Sequence, residues 1–340
     1  MNDSSTAAMS ATAVAHANIA LIKYWGKANA ELILPVTPSL SLTLDALYTT
    51  TTVTFDPEQD GAASDTATLD GEPVTGKSMA RISALLDLVR QRAGITAAAQ
   101  VTSVNTVPTA AGLASSASGF AALAGAAAAA AGLDLDDKEL SRLARRGSGS
   151  ASRSVYGGLA MWHAGTDDES SYAEPVDDPT GMASSLAMVV LVLNDAEKSV
   201  SSRDGMAHTV ETSPEYWPWV ESHRKDLAEA QEAVAAGDLA TLGEIAERNA
   251  AGMHHTMQTA VPPVDYVTDD SRAALAAVKA AREAGFPAWA TMDAGPNVKV
   301  LTTADKVEEL DAWFKDHLSA RVPGLATVVA RAGEGMVVTR

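Results

Sequence analysis

The sequence predicts an α+β fold with two lobes, and three observations support this interpretation. Segments rich in β-branched residues and alternating in polarity fill much of 15–55, whereas long segments with helical periodicity cluster at 214–284. A continuous apolar run, LAMVVLVLND, begins at residue 186 and is typical of a central strand covered on both faces. The length of 340 residues is sufficient for two such lobes. We therefore expect one lobe at 11–185 and a second at 186–340.

The first half of the chain has a clear order of elements after a loose tail of residues 1–10. Alternation and β-branched content predict strands at 15–25, 39–45, 49–55 and 99–107. Apolar residues at helical spacing, each run ending at a glycine, predict helices at 78–94, 113–131 and 136–147. The many alanines of the second helix indicate a helix packed very close to its neighbours.

The second half begins with the apolar strand at 186 and continues with three long helices. The helices are expected at 214–236, 238–259 and 270–284. AWATMDAGPNVKVLTT (288–303) predicts a strand, a glycine-proline turn and a second strand. A further helix, ADKVEELDAWFKDHL, follows, and LATVVARAGEGMVVT (325–339) is interpreted as a terminal hairpin.

Composition and charge exclude several classes of function. The 43 acidic residues outnumber the 25 Lys and Arg, and a formal charge of −18 disfavours nucleic acid and anionic membranes as partners. Zero cysteines exclude disulfides, thiolate metal sites and a cysteine nucleophile. The sequence contains no apolar run long enough for a membrane span, and its start lacks the features of a secretory signal, so we expect a cytoplasmic protein.

Two segments have the composition of a phosphate-binding loop. GEPVTGKS (71–78) matches the G-x-x-x-x-G-K-S pattern of nucleotide hydrolases. The preceding TATL is half polar, however, whereas the strand before such a loop is normally apolar, and Asp70-Gly71 is a strong hairpin signal. We therefore interpret this segment as a hairpin that leads into a helix.

The second segment is PTAAGLASSASG (108–119), which leads into the alanine-rich helix. Gly112 allows close approach of the backbone to a ligand, and the free N–H groups of a helix start attract phosphate. Ser115 and Ser116 add hydroxyl groups that suit phosphate oxygens or a metal ion. Taken alone, the segment is explained equally well as a serine-capped helix start.

Four longer segments, in order, resemble the diphosphomevalonate decarboxylase family of the GHMP kinase superfamily. They are NIALIKYWGK (18–27), VPTAAGLASSASGFAAL (107–123), RRGSGSASRSVYGG (145–158) and MDAGPNVKVL (292–301). In this family the nucleotide loop corresponds to 108–116, and 71–78 corresponds to a hairpin before a helix. The resemblance thus decides between the two loops.

The resemblance implies a function, a fold and cofactors. It implies that ATP, with Mg²⁺, phosphorylates the 3-hydroxyl of (R)-5-diphosphomevalonate, and that loss of phosphate and CO2 gives isopentenyl diphosphate. The implied fold has an N-terminal lobe like domain 2 of ribosomal protein S5 and a ferredoxin-like C-terminal lobe. The family is usually homodimeric. A related GHMP kinase or decarboxylase acting on mevalonate or its 5-monophosphate is the alternative.

Three residues match the family's catalytic positions. Asp293 corresponds to the catalytic aspartate, a natural base or orienting group for a crowded tertiary alcohol. Lys23 corresponds to a lysine that keeps this carboxylate ionised. Arg153 corresponds to the arginine whose planar guanidinium orients the substrate carboxylate.

The remaining predicted site residues follow from the same resemblance, and no metal ligand is assigned. The substrate-binding residues are Tyr24, Trp25, Gly26, Lys27, Arg81, Ser148, Gly149, Ser150, Ala151, Ser152, Arg153, Arg203 and Thr209. The ATP-binding residues are Asn105, Pro108, Ala111, Gly112, Leu113, Ala114, Ser115 and Ser116. Trp25 is also well suited to packing. Ser152 stands where the family commonly has cysteine, and VTPS (36–39) replaces a usual Asn-Ser-Ser type sequence.

Overall fold

The computed structural model describes residues 9–60, 64–106, 115–193 and 200–340. The elements of the first half are β1 (Met9–Ile22), β2 (Lys27–Asn29), β3 (Leu34–Pro35), β4 (Ser39–Asp60), β5 (Thr66–Leu69), β6 (Glu72–Pro73), α1 (Gly76–Ala93), β7 (Ala97–Asn105), α2 (Ser115–Ala130), α3 (Asp137–Gly147), a 3-10 helix (Gly149–Val155), β8 (Leu159–Trp162), β9 (Ala173–Pro175) and α4 (Met182–Ser185). The elements of the second half are β10 (Leu186–Val192), α5 (Ser202–Thr212), α6 (Tyr216–Ala236), α7 (Leu239–Gln258), α8 (Asp269–Glu283), β11 (Trp289–Met292), β12 (Val298–Thr303), α9 (Val307–Leu318), β13 (Ala326–Arg331) and β14 (Val337–Thr339). No helix among these described residues has the length and apolar composition needed to cross a bilayer.

The first sheet is built around β1 and β4, two long antiparallel strands. Its strands lie in the order β14-β1-β4-β7-β5-β6, and β8 and β9 extend it from the side of β4. The predicted strands 39–45 and 49–55 form the single strand β4, whose pairing with β1 shifts register between His16 and Asn18. A local β-bulge therefore lets one continuous strand form where the sequence pattern predicts two.

The alanine-rich helix α2 lies against this sheet. Twelve of its 16 residues are buried, which confirms the close packing expected from its small side chains. Alternate residues of β1, such as Ala13 and Ala15, face the same core. Because α2 is fixed along most of its length, its N-terminal end at Ser115 is held in one place.

The second sheet is fully antiparallel, with the order β11-β12-β10-β13. Its central strand β10 is apolar on both faces, as the run at 186 predicted: Val189 packs toward α8 and α9, and Met188 packs toward α7 and β1. The core around Met188 also includes Ile19 of β1 and Ile245 of α7. The two sheets thus share one apolar core, and the end of β1 lies next to the second sheet.

The predicted terminal hairpin at 325–339 is wrong. β13 pairs with β10 in the second sheet, whereas β14 pairs with β1 in the first sheet, with Val14 opposite Val337. The glycines between β13 and β14 allow the chain to pass from the second sheet to the first instead of forming a hairpin turn. Gly333 lies so close to the neighbouring backbone that a Cβ there would be 2.7 Å from the backbone nitrogen of Asp45. β1 also begins at Met9, inside the segment expected to be a loose tail.

Gly147, at the end of α3, gives a test of this packing. A Cβ there would lie 2.2 Å from Cδ1 of Phe120 on α2, so Gly147→Ala should lower the free energy of unfolding by about 1–3 kcal/mol through overpacking. Gly119→Ala is the matched control, because a Cβ at that position would have nothing within 4 Å of it and alanine favours a helix. Denaturant unfolding of both variants measures the difference. Equal stability of the two would contradict the close packing of α2 and α3.

Candidate active site

A cleft of about 680 Å³ lies where the end of β1, the 3-10 helix and the start of α1 meet the turn after β11. Side chains from both halves of the chain line it. They are Asn18, Ala20, Lys23, Tyr24, Trp25, Lys27, Ile33, Lys77, Ser78, Arg81, Ser115, Ser116, Ser148, Gly149, Ser150, Arg153, Ser201, Ser202, Arg203, Asp204, Met206, Met253, Asp293 and Ala294.

Asp293 is the only carboxylate in this set besides Asp204, and the turn after β11 presents it to the cleft. Two hydrogen bonds hold the turn: Gly295 N–H donates to the Asp293 carbonyl at 2.8 Å, and Asn297 Oδ1 accepts from Leu193 N–H at 2.8 Å. The side chain of Asp293 is 33% exposed, so one part of the carboxylate is open to a ligand while the rest is packed.

Two lysines hold the carboxylate of Asp293. Lys23 Nζ lies 2.8 Å from Oδ1, and Lys299 Nζ lies 3.2 Å from Oδ2. Burial by itself raises the pKa of Asp293, but the two ammonium groups outweigh it and hold that pKa well below its usual range. Burial lowers the pKa of Lys23, and the attraction of Asp293 offsets part of that shift. Asp293 is therefore ionised at neutral pH.

Lys23 follows β1 directly and is held by helices of the second half. Its N–H donates to Asn249 Oδ1 at 2.8 Å, and its carbonyl accepts from His223 Nε2 at 3.0 Å. Its Nζ also donates to the carbonyl of Ala20 at 2.8 Å. Burial lowers the pKa of His223 to about 4, so this ring is neutral at neutral pH and donates without adding charge.

Arg153, on the 3-10 helix, is fixed by hydroxyl and amide groups. Its Nε donates to Asn18 Oδ1 at 3.1 Å and to Ser41 Oγ at 2.9 Å, and its Nη1 donates to Ser39 Oγ. The side chain is almost fully buried, and burial lowers its pKa to about 10, which leaves it charged at neutral pH. Asn18 is in turn held by Ser154 Oγ at 2.8 Å. The guanidinium is thus preorganised before any ligand arrives.

A second group of cations lies around Lys27, Arg81 and Arg203. Burial lowers the pKa of Lys27 to about 8, with further contributions from Arg203 and Arg81, and burial lowers the pKa of Arg81 to about 10. Across the described parts of the chain, none of the three forms a salt bridge with a carboxylate. Such a concentration of positive charge in an otherwise acidic protein suits a polyanionic ligand.

The structure brings most of the predicted substrate residues into the cleft, but not all. Gly26, Ala151, Ser152 and Thr209 do not line it. Thr209 donates its hydroxyl to the Gly205 carbonyl, and Ser152 donates to the Gly149 carbonyl. Gly26 has φ +101, and a Cβ there would lie 1.8 Å from the Tyr216 hydroxyl oxygen, so its contribution is to allow the backbone to pass.

The predicted ATP-binding residues divide into three groups. Ser115 and Ser116, at the start of α2, line both the cleft and an adjoining cavity of about 230 Å³, whereas Asn105 lines only the cavity. Pro108, Ala111, Gly112, Leu113 and Ala114 lie outside the described residues. Hydrophobic side chains, including Leu69, Val101 and Phe120, complete the adjoining cavity.

The hairpin interpretation of 71–78 is confirmed. β5 and β6 pair antiparallel around Asp70 and Gly71, which have φ values of 54° and 86°. Positive φ at both central positions is typical of a two-residue hairpin. Lys77 and Ser78 nevertheless line the cleft, because α1 begins at Gly76 and its first turn faces Ser115 and Ser116 across the opening.

Sequence reasoning missed Asn18 and Lys299. Asn18 directly precedes the apolar IALI of β1, Lys299 lies between two valines of β12, and both are buried, with exposed fractions of 3% and 1%. A polar or charged residue in the middle of a buried strand requires a partner, and this pattern was the available signal.

Comparisons with known proteins match both halves of the chain. Residues 15–173 match the diphosphomevalonate decarboxylase-like N-terminal domain, and residues 188–332 match the mevalonate 5-diphosphate decarboxylase C-terminal domain. A diphosphomevalonate decarboxylase of Aspergillus fumigatus is 38% identical over 92% of this chain and 82% of its own length.

Solved structures give the same result. A mevalonate diphosphate decarboxylase from Enterococcus faecalis has a TM-score of 0.90 and 49% identity over 98% of this chain and all of that chain. The Staphylococcus aureus enzyme has a TM-score of 0.91 and 45% identity over 98% of each chain. A complex of MDDEF with MVAPP, AMPPCP and magnesium has a TM-score of 0.91 and 50% identity over 98% of this chain and all of that chain. The predicted two-lobed GHMP kinase fold is confirmed, and the chain belongs to the diphosphomevalonate decarboxylase family.

Proposed function

We propose that this chain catalyses the ATP-dependent decarboxylation of (R)-5-diphosphomevalonate to isopentenyl diphosphate. The meeting of Lys23, Arg153 and Asp293 in one cleft, in a chain of this family, is the observation that carries the proposal. A solved relative bound to MVAPP and AMPPCP supports the same pair of substrates.

In the first step Asp293 orients the 3-hydroxyl of the substrate and accepts its proton. Its carboxylate accepts a hydrogen bond from the hydroxyl and directs the oxygen toward the γ-phosphorus of ATP. With a pKa held low by two lysines, Asp293 is a weak base toward a free alcohol. The hydroxyl proton becomes far more acidic as the O–P bond forms and the bond to ADP breaks, so it passes to Asp293 late in this step.

Arg153 orients the substrate carboxylate in the second step. The C3–O bond breaks and phosphate leaves with the electron pair, and the electrons of the bond to the carboxyl carbon then form the new double bond as CO2 departs. A guanidinium that fully neutralised the carboxylate would oppose this loss of charge. The three side-chain partners of Arg153 support a fixed, orienting role.

The cleft and the adjoining cavity contain groups suited to both polyphosphates, and Arg81 lines both spaces. Lys27, Arg81 and Arg203 are suited to the 5-diphosphate, with hydroxyls of Ser148 and Ser150 beside them. Ser115 and Ser116, at the positive end of α2, are suited to the phosphates of ATP, and the adjoining apolar cavity that contains Asn105 is suited to its nucleoside. We assign Pro108–Ala114 to the same loop on the family resemblance alone.

The donor set fits magnesium that is held mainly by the nucleotide. No cluster of three or more His, Cys, Asp or Glu side chains able to hold a metal occurs within the described residues. Mg²⁺ commonly needs only one or two protein ligands beside substrate phosphates and water, and the hydroxyls of Ser115 and Ser116 are candidates. When bound, Mg²⁺ neutralises negative charge on the phosphates.

Three further expectations belong to this proposal. The family resemblance supports a homodimer, and the absence of cysteine supports a cytoplasmic location. The third is a division into lobes at 11–185 and 186–340, which is supported by the start of β10 at Leu186, whereas β14 pairs with β1 of the first sheet.

The proposed function is tested by supplying ATP and Mg²⁺ with mevalonate, its 5-phosphate and its 5-diphosphate in parallel. We expect CO2 and inorganic phosphate in equal amounts from the 5-diphosphate, because only that substrate spans Asp293 and the Lys27–Arg81–Arg203 cluster. ADP without CO2 would indicate a kinase that stops at the phosphorylated product. Preference for the 5-phosphate would contradict the diphosphate assignment.

Asp293→Asn separates the two phosphate-loop interpretations. The change removes the negative charge and the proton acceptor while retaining size, so kcat should fall by about 10³-fold or more. Lys77→Ala should lower turnover much less than Asp293→Asn, because Lys77 lines the cleft from the first turn of α1 but is not one of the lysines paired with Asp293. Steady-state ADP and CO2 release measure both. The reverse order of effects would support the rejected loop.

The low pKa of Lys27 predicts a pH dependence of substrate capture. Lys27 is charged below about pH 8 and loses its charge as the pH rises through that value, so kcat/KM for the 5-diphosphate should fall above about pH 8. Lys27→Arg should retain activity and move this alkaline fall in kcat/KM (the alkaline limb) to higher pH, since guanidinium stays protonated. Lys27→Met should abolish the alkaline limb. An unchanged limb in both variants would exclude Lys27 as its origin.

A further inference from the structure

Lys299 lies in the middle of the second sheet, outside the lining of the cleft. It is in β12, opposite Thr291 of β11 and Val190 of β10. It shares a strand face with Leu301, which packs in the core common to both sheets, and Lys299 is only 1% exposed. An ammonium group in this position is costly unless it is paired.

The partners of Lys299 belong to the turn that carries Asp293. Its Nζ lies 3.2 Å from Asp293 Oδ2 and 3.3 Å from the carbonyl oxygen of Asn297. The other carboxylate oxygen is paired with Lys23 at 2.8 Å. One lysine is sufficient to balance one carboxylate, so this cluster contains a surplus buried positive charge.

The negative charges of the proposed ligands explain why a surplus positive charge beside Asp293 is useful. A triphosphate, a diphosphate and a carboxylate bring many negative charges close to Asp293, and each of them raises the pKa of a neighbouring carboxylate. We propose that Lys299 is a positioning residue for Asp293, which keeps its carboxylate charged and correctly oriented while the anionic substrates are bound. This inference rests on the proposed function, because it assigns to Asp293 the contact with the 3-hydroxyl.

Within the described ranges of the chain, four charged or titratable groups face Asp293. Lys23 and Lys299 contact it directly, and Arg153 acts on it from the 3-10 helix. His254 on α7 is the fourth, and burial followed by repulsion from Lys23 lowers its pKa to about 4. Removing Lys299 takes one cation from this set, which raises the pKa of Asp293 and lets it protonate at a higher pH.

Lys299→Met is the test, because methionine retains length and packing but not charge. We expect kcat at pH 7 to fall about tenfold, KM for the 5-diphosphate to change by less than about threefold, and the acid limb of kcat to rise by about one pH unit or more. Lys299→Arg should restore the limb, since it restores the cation. Lys306→Met is the control and should behave as the parent protein, because Lys306 is a partly exposed lysine paired with Glu309 and away from Asp293. Because His254 also titrates in acid, the shift should persist when Lys299→Met is combined with His254→Gln.

A stability measurement distinguishes positioning from a structural role. Removing Lys299 weakens its attraction to Asp293 but also removes the desolvation cost of a buried ammonium group, while the Lys23–Asp293 pair stays balanced. The two effects oppose each other, so the melting temperature of Lys299→Met at pH 7 should change little. A large fall in melting temperature, or an acid limb superimposable on that of the parent, would overturn the inference. If the parent protein fails the three-substrate assay, the proposed function is wrong, and the melting temperature still tests the surplus charge by itself.

Discussion

The buried ion pair between Lys23 and Asp293 is the contact on which the rest of the site depends. It joins residues 270 positions apart, one at the end of β1 and the other after β11. Neither half of the chain can form the pair alone, so the reactive end of the cleft exists only when the two sheets are packed together. The core shared by β1, β10 and α7 supplies that packing, and Asn249 and His223 fix the backbone of Lys23 from the second half. The geometry of the Lys23–Asp293 pair and the packing of the two sheets are thus set by the same contacts.

Much of the fold and most of the site could be predicted from sequence, because the underlying signals are local. The helical periods of α6, α7 and α8, the apolar run of β10 and the Asp-Gly hairpin each follow from neighbouring residues. The cluster of Lys23, Arg153 and Asp293 was predicted in a different way, from resemblance to a family. Without it, Asp293 would have been interpreted as an ordinary turn residue.

The features that sequence reasoning missed depend on partners far away in the chain. The role of Lys299 can be recognised only when the structure shows its ammonium group beside the carboxylate of Asp293. The terminal strand β14 has the alternation of a hairpin strand, but its partner is β1 and not β13, and the choice depends on glycines that fit against another backbone. Local pattern reports that a strand exists, whereas tertiary packing decides with which strand it pairs.

The pairing of β14 with β1 also has a consequence for biosynthesis. Thr12 of β1 lies opposite Thr339 of β14, so one ladder of hydrogen bonds joins strands that are far apart in the sequence. During translation β1 emerges before every strand of the second sheet, yet one of its edges stays uncovered until residues 337–339 have left the ribosome. The nascent protein must therefore keep an open sheet edge while the second sheet is synthesised, and all strands of the second sheet are available before the first sheet can be completed.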